Sequence, residues 1–351
     1  MAFLVTFFIS YALLNLYVLK GFGALFRFPL GLVFLLLYLS PLFSHWALKR
    51  GFLKMGQILY ITGFTWMAFL FLSACVFVIF DLSRFLYPLD KKRGSLVALF
   101  FSLGALSYGF FEAQRPQVKT LTIKTPKVSS PIIIGIISDL HCGPVVKGKR
   151  LERLLKALVK AKPDLILSPG DLLDTEYQND LFPLRELKAP LGKFTVLGNH
   201  EGYMGPKKAQ RILEEMGFKV LRNERVKVGQ IILVGVDDPH VRGSLVDEKA
   251  LLKEEEGFVI LLKHRPSPPK EGKFDLQLSG HTHGGQIFPF NLIVRLFYPK
   301  SEGLKTLPGG KLLYITRGTG TWGPPVRFLA PPEVTIISIF PKNRLEISSH
   351  Q

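Results

Sequence analysis

Five of the eight histidines in this 351-residue chain follow apolar runs and have a carboxylate, an amide or a second histidine close by. The run 132–138 leads into Asp139-Leu140-His141-Cys142-Gly143, and the run 164–168 into Gly170-Asp171-Leu172-Leu173-Asp174. The run 194–197 is followed by Gly198-Asn199-His200-Glu201, 258–263 by His264, and 276–279 by Gly280-His281-Thr282-His283-Gly284-Gly285. Carboxylate oxygen and neutral imidazole nitrogen are the donors that hard and borderline divalent cations take, provided a rigid scaffold fixes their geometry. Strand ends supply that rigidity, and the glycines let the backbone turn so that side chains share one rim. Strand alternation would set Asp139 and His141 on one side, within reach of one ion. His281 and His283 are spaced to share an ion or to divide between two neighbouring ones.

Taken singly, these pieces are ordinary. Gly-Asp and Gly-Asn are turn dipeptides, and a histidine at a strand end is commonly just a polar terminus. Five in succession, each behind an apolar run, are not ordinary, and together they predict a metal site. Cys142 reads as a small filler inside the first motif, not as a nucleophile. His45, His240 and His350 lack such neighbours, and only His240, behind Asp238-Pro239, stands where a substrate contact is conceivable.

The ordered set D-x-H, G-D-x-x-D, G-N-H-E, H and G-H-T-H resembles the calcineurin-like metallophosphoesterases over about residues 132–340, with no motif residue missing. The surrounding Gly235-Val236-Asp237-Asp238-Pro239, Gly284-Gly285-Gln286 and Arg317-Gly318-Thr319-Gly320-Thr321-Trp322, with Arg327 beyond, is similar to a bacterial membrane-associated branch containing YkuE-like phosphoesterases. The resemblance implies an α/β fold, a four-layer α/β/β/α sandwich, with two divalent ions drawn from Mn, Fe, Zn or Co. Asp139, His141 and His283 would bind the first ion, Asn199, His264 and His281 the second, and Asp171 would bridge them. It also implies in-line attack on phosphorus by a metal-activated hydroxide. His200 would protonate the leaving oxygen or stabilise the transition state. Asp174 and Glu201 would orient ligands through hydrogen bonds, and Arg317 and Arg327 are candidates for a bidentate grip on substrate phosphate.

The elements that must carry these residues fall into two stretches, and the mean hydropathy of +0.25 beside 21% charged residues is an average over both. Up to Arg115 the chain has ten Lys/Arg against three Asp/Glu, a balance of +7, which leaves +11 of the net +18 for the remainder. The same stretch holds four apolar runs, 2–19, 28–48, 57–80 and 95–111, each near the ~20 residues a helix needs to cross a bilayer. Basic residues separate them (Lys20 and Arg27; Lys49, Arg50 and Lys54; Arg84, Lys91, Lys92 and Arg93), and Trp46, Tyr60, Trp66 and Tyr87 stand at or near their ends, where amphipathic rings favour the interface. No polar stripe marks the runs as a soluble bundle, and no charged n-region or cleavage site marks the first as a signal peptide. The expected organisation is a four-helix transmembrane region over 1–113, a linker with a first strand over 114–130, and a metallophosphoesterase domain over 131–351. In that domain 132–138, 164–168, 194–197, 231–236, 258–263, 276–279, 312–316 and 334–340 read as strands. Residues 149–162 read as an amphipathic helix with Leu151, Leu154, Leu155, Leu158 and Val159 on its apolar face; 206–216 and 246–256 are shorter helix candidates.

Composition narrows the function classes. An apolar content of 48% excludes intrinsic disorder, and two cysteines exclude a disulfide scaffold. The basic residues are dispersed and interleaved with acids, as in Lys253-Glu254-Glu255-Glu256, instead of gathered with aromatics along a groove, which disfavours nucleic acid. They suit an anionic membrane surface and a phosphate-containing substrate. The expectation is therefore a membrane-anchored, dinuclear metal-dependent phosphoesterase cleaving a phosphodiester or pyrophosphate bond of a lipid-linked or membrane-proximal substrate. A UDP-2,3-diacylglucosamine-type pyrophosphatase of lipid A synthesis, a nuclease and a catalytically silent metal-binding scaffold stay as alternatives; the intact ligand set speaks against the last. Four crossings return the chain to its starting side. Seven flanking basic residues against six, with Cys142 unpaired, set a cytoplasmic expectation for the catalytic part, at a bacterial inner or plasma membrane.

Overall fold

The computed structural model describes residues 2–26, 31–174, 180–241, 246–253 and 256–342; Arg27, His350 and part of the 246–256 helix candidate lie outside them. The chain forms two compact units, Met1–Ala113 with Gly323–Phe328, and Gln114–Trp322 with Leu329–Gln351.

The first unit contains α1 (Ala2–Phe22), α2 (Gly31–Lys49), α3 (Leu53–Ser83) and α4 (Lys91–Glu112), each long and apolar enough to cross a membrane. Large apolar side chains such as Leu13, Leu36, Ile58 and Ile79 are exposed, while many of the buried ones are small: Ser40, Ser44, Ser73, Ala98 and Ser102. This is the distribution lipid favours, with apolar bulk outside and small, hydrogen-bonding residues between helices. The hydroxyls of Ser73 on α3 and Ser102 on α4 lie 2.9 Å apart, and Ser95 of α4 donates to Gly21 O of α1 at 2.7 Å. A Cβ on Gly63 would fall 2.3 Å from Ser40 Oγ, so glycine is what lets α2 and α3 approach. Asp90 caps α4, accepting from Lys92 and Arg93 N–H. In the Gly323–Phe328 segment Arg327 N–H donates to Gly109 O at 3.0 Å, and Phe328 meets Phe101 and Tyr108 edge to face.

The second unit is built on two six-stranded sheets. The first holds β1 (Gln117–Thr125), β2 (Ile132–Ile136), β3 (Leu165–Ser168), β4 (Lys193–Thr195), β5 (Lys219–Val220) and, from the end of the chain, β12 (Glu333–Pro341), in the order β1-β12-β2-β3-β4-β5. The second holds β6 (Glu224–Val228), β7 (Ile231–Val236), β8 (Phe258–Lys263), β9 (Leu276–Ser279), β10 (Gly303–Thr306) and β11 (Leu312–Ile315), in the order β10-β11-β9-β8-β7-β6. Strands β2 to β5 are parallel, as are β7, β8, β9 and β11, so in each sheet several strand ends open onto the same edge. Ligand sites in parallel sheets form at such carboxyl ends.

Alternation of buried residues places Ile134, Ile136, Leu165, Leu167, Leu233, Ile260, Leu262 and Leu278 in one apolar layer fed by both sheets. Outside the first sheet, α5 (Gly148–Ala161), α6 (Phe182–Arg185) and α8 (Pro206–Glu215) bury Leu151, Leu154, Leu155, Leu158, Leu184 and Leu213; the short α7 (Asn199–Met204) precedes α8. Outside the second sheet the cover is thin, with the single turn α9 (Glu248–Leu251) and Leu252, Phe274 and Leu307 over Val234, Leu261 and Leu313. The last helix, α10 (Phe290–Phe297), buries none of its residues.

Some local expectations need correction. Val159 is 59% exposed, not part of the buried face of α5; Leu151, Leu154, Leu155 and Leu158 fill that stripe without it. Strand β2 stops at Ile136, three residues before the first motif. The short β5, β6 and β10 carry Lys, Glu, Arg or Gly within them and give no apolar alternation to read.

Leu158 is fully buried, and its Cδ1 lies 2.2 Å from where a Cβ on Gly135 would stand, so helix and sheet meet through that glycine. Leu158→Ala is expected to destabilise the second unit by about 2–5 kcal/mol, the usual range for a buried leucine. A lowered near-UV CD melting temperature checks it; an unchanged one would show that the site closes up without cost.

Candidate metal centre

The sequence-predicted ligands follow strand ends, Asn199 at the start of α7 and the others on loops, and five of them have an unusual backbone. Asp139, His141, Asp171, His281 and His283 all have positive φ, between 50° and 73°. Non-glycine residues are uncommon there, and a cluster of them marks a place where surrounding structure holds the backbone against its preference. The pairing of Asp139 with His141 therefore does not come from strand alternation, as the sequence suggested, but from two left-handed residues in a loop. Glycines make room around them. A Cβ on Gly198 would fall 2.1 Å from Asp171 Oδ1, and one on Gly280 2.2 Å from Asp139 Oδ2.

The side chains converge into two groups. In the first, His141 Nε2 and His283 Nε2 are 3.0 Å apart, and Asp139 Oδ1 is 3.6 Å from His283 Nε2. In the second, His264 Nε2 has Asp171 Oδ2 at 3.1 Å, Asn199 Oδ1 at 3.1 Å and His281 Nδ1 at 3.2 Å. Asp171 Oδ2 is also 3.9 Å from His141 Nε2, so one carboxylate oxygen reaches both groups. His281 and His283 are divided between the two groups. Asp139, His141, Asp171, Asn199, His264 and His283 are all buried.

The donor set fits a cation. His264 Nδ1 lies 3.0 Å from Pro169 O and, as the hydrogen on that nitrogen, satisfies the carbonyl. The neutral ring then presents a bare Nε2 to a carboxylate oxygen, an amide oxygen and another imidazole nitrogen, an arrangement of acceptors that needs positive charge among them. Protein groups alone can supply it only as a proton. Burial would lower the His264 pKa, yet the Asp171 carboxylate outweighs burial and raises it to about 10. Burial and then the charge on His264 push His281 down to about 3. His141 Nδ1 is buried without a hydrogen-bond partner among the described residues, with Asp174 Oδ1 3.8 Å away.

His200 sits differently. Its N–H donates to Asp171 Oδ1 at 3.0 Å, and its Nδ1 is 2.7 Å from Asp174 Oδ1. Burial opposes its charge, but Asp171 and then Asp174 raise its pKa to about 9. Asp174 is held well below the usual carboxylate range by His141 and His200, against the effect of its own burial. Glu201 is fully buried and accepts the N–H groups of Asp171 (3.0 Å), Leu173 (2.9 Å) and Gly198 (2.9 Å), locking the second motif loop to the start of α7. Cys142 is a buried free thiol whose pKa burial pushes up, as befits a filler.

The two arginines are engaged elsewhere. Arg317 Nε donates to Glu333 Oε2 at 3.0 Å and its Nη2 to Gln117 Oε1 at 3.0 Å, so its guanidinium braces β1 and β12. Arg327 is fully buried in the first unit. Neither has the open guanidinium that a phosphate grip requires. Sequence reasoning passed over Arg265, whose Nε donates to Asp238 Oδ2 at 2.6 Å and whose Nη2 is 2.8 Å from His240 Nδ1; its position directly after His264 was the available signal. It also passed over the aromatic rim: Tyr203 and Trp322 lie beside His200 (5.5 and 5.8 Å) and Tyr298 beside His281 (5.6 Å); Trp322 closes the motif that begins at Arg317, whereas no motif marks Tyr203 or Tyr298.

Comparison with known proteins points to one family. The profile of the calcineurin-like phosphoesterases matches residues 132–285. A protein of Aquifex aeolicus named as a metallophosphoesterase is 40% identical over 68% of this chain and 96% of its own length. A Danio rerio transmembrane protein with metallophosphoesterase domain is 32% identical over 70% of this chain and 62% of its own. The metallophosphoesterase YkuE of Bacillus subtilis is 31% identical over 71% and 97%.

Two outcomes follow from the side-chain partners. In EDTA-treated protein the His200 ring protons should titrate near 9, above the ordinary ~6.5. Asp174→Asn should bring that midpoint down, because an opposing charge is removed; an unchanged midpoint would separate His200 from Asp174. Glu201→Ala orphans three buried N–H groups and should cost at least about 2 kcal/mol in thermal melting.

Proposed function

Because the chain belongs to the calcineurin-like metallophosphoesterase family, we propose that it is a membrane-anchored hydrolase that uses two divalent ions to cleave a phosphodiester or pyrophosphate bond in a lipid-linked or membrane-proximal substrate. The observation that carries this reading is the shared reach of Asp171 Oδ2, 3.1 Å from His264 Nε2 and 3.9 Å from His141 Nε2. One carboxylate oxygen common to two histidine groups makes two adjoining cation seats. Asp139, His141 and His283 would hold one ion, Asn199, His264 and His281 the other, and Asp171 both. When bound, the ions supply Lewis acidity toward a phosphoryl group and a lowered pKa for water. Mn, Fe, Zn and Co all suit a mixed Asp/His/Asn set.

The chain's own residues account for the rest. With Nδ1 fixed on Asp174, His200 keeps Nε2 as its donor toward the site; it would deliver a proton to the leaving oxygen. Arg265, held by Asp238 and His240, would contribute positive charge toward phosphate oxygens and not a bidentate grip. Four apolar helices hold the enzyme at a bilayer, a tether that a freely diffusing substrate does not require. In this reading the second unit lies on the cytoplasmic side of a bacterial plasma membrane, where a reducing environment suits the free Cys142.

The full chain in detergent, supplied with Mn²⁺, is expected to hydrolyse bis-p-nitrophenyl phosphate. Absence of turnover with metal demonstrably bound would overturn the enzymatic reading. Elemental analysis should find two ions per chain, with His283→Ala and His281→Ala each losing one. His200→Ala should lower kcat about 10²–10⁴-fold at unchanged metal content; loss of metal would make His200 a ligand instead of an acid.

A further inference from the structure

Helix α10 follows the G-H-T-H-G-G loop and is seated directly on it. A Cβ on Gly285 would fall 2.3 Å from Asn291 Cα, so helix and loop touch backbone to backbone at that glycine. From the other end of the helix, Tyr298 places its ring 5.6 Å from that of His281. The helix is strongly amphipathic but turned the wrong way for a water-soluble domain. Phe290, Leu292, Ile293, Leu296 and Phe297 are all exposed, Leu296 by 79% and Phe297 by 76%, and Phe288 just before it is exposed as well. Trp322, 51% exposed, joins this rim through Gln286, which donates to Trp322 O and accepts from Trp322 N–H, both at 2.9 Å. A contiguous apolar surface of this kind marks a binding face.

We propose that α10 is an interfacial helix whose apolar face enters the acyl layer of an anionic phospholipid bilayer, bringing the metal centre to the level of the lipid phosphates. The chain itself supplies the argument for that occupant. Its first unit holds four helices fit to cross a membrane, so a bilayer is always within reach of the second. Aromatic and leucine side chains on one face, with basic residues beside them, are the composition of helices that lie in the interface plane. Here Lys300 and Lys305, both exposed, follow the helix, where they complement anionic headgroups, while Arg295, also exposed, lies 3.6 Å from Glu302. The inference deepens the reading of a lipid-linked phosphoester substrate and rests on it for its catalytic consequence, though not for the docking itself.

The test uses the full chain reconstituted in phosphatidylethanolamine/phosphatidylglycerol vesicles. Phe297→Trp adds a reporter whose emission is taken as the difference from unsubstituted protein. Brominated acyl chains should quench that emission by about half or more, as expected for a ring in the acyl layer. Unquenched emission at long wavelength would put the helix in water, and unquenched emission at short wavelength would mean that a second copy or another protein surface covers it; either overturns the proposal. A second arm compares the Leu296→Asp/Phe297→Asp chain with wild type on two diesters, soluble bis-p-nitrophenyl phosphate and a p-nitrophenyl phosphodiester carried on diacylglycerol in the vesicles. Soluble turnover should be unchanged, while lipid-borne turnover falls at least about tenfold. Equal loss on both would make α10 a support for the metal loop and overturn the proposal. Quenched emission with no turnover of the lipid diester by wild type would leave the docking standing and remove the lipid substrate.

Discussion

Electron-pair donors repel one another, and this site crowds a buried set of them together. Asp171 Oδ2 and Asn199 Oδ1 stand 3.1 Å and His281 Nδ1 3.2 Å from His264 Nε2, and His141 and His283 face each other nitrogen to nitrogen at 3.0 Å. Without positive charge such an arrangement flies apart or collapses onto protons. Much of the second unit's local structure can be understood as holding it. Five left-handed backbones aim the donors, glycines give up side chains so that loops can touch, and Glu201 ties down three amides. Strain of this kind is stable only in a scaffold that outweighs it, which is why the loops spring from fully buried parallel strands.

How much of this was legible in sequence depended on whether the signal was local. Long apolar runs separated by lysines and arginines announce membrane helices residue by residue, and β7, β8 and β9 begin and end where their β-branched and leucine runs do. The candidate ligands were legible as a cluster because Asp, His and Asn behind strands in fixed order are rare as a set. The mechanism of their approach was not, because a positive φ at Asp139 or His141 leaves no mark on residue type. Long-range partners were equally silent. Nothing near Arg317 indicates that Glu333 and Gln117 will occupy it, and nothing near residue 327 indicates that its segment belongs with the first unit. Edge strand β1 is polar at alternate positions because one side faces water, which blurred it with a linker.

The two units are shaped by different solvents. In the first, exposed leucines and buried serines make sense only against hydrocarbon, where backbone and hydroxyl groups must find partners inside. In the second, most leucines are inside and most lysines outside; Lys193 is buried, Leu304 and Leu329 are exposed singly, and α10 exposes a whole apolar face. That helix keeps the first unit's rule within the second unit's chain.

The proposed ligands also divide by sheet. Asp139, His141, Asp171 and Asn199 hang from β2, β3 and β4, whereas His264, His281 and His283 hang from β8 and β9. The two halves of each proposed cation seat are therefore mounted on opposite sides of one apolar layer, and the thickness of that layer is the gauge that sets their separation. A methyl group added at Ile260 or removed at Leu167 changes the gauge. In this enzyme the distance of a substitution from the histidines is a poor measure of its influence on them; what counts is whether it lies in the spacer.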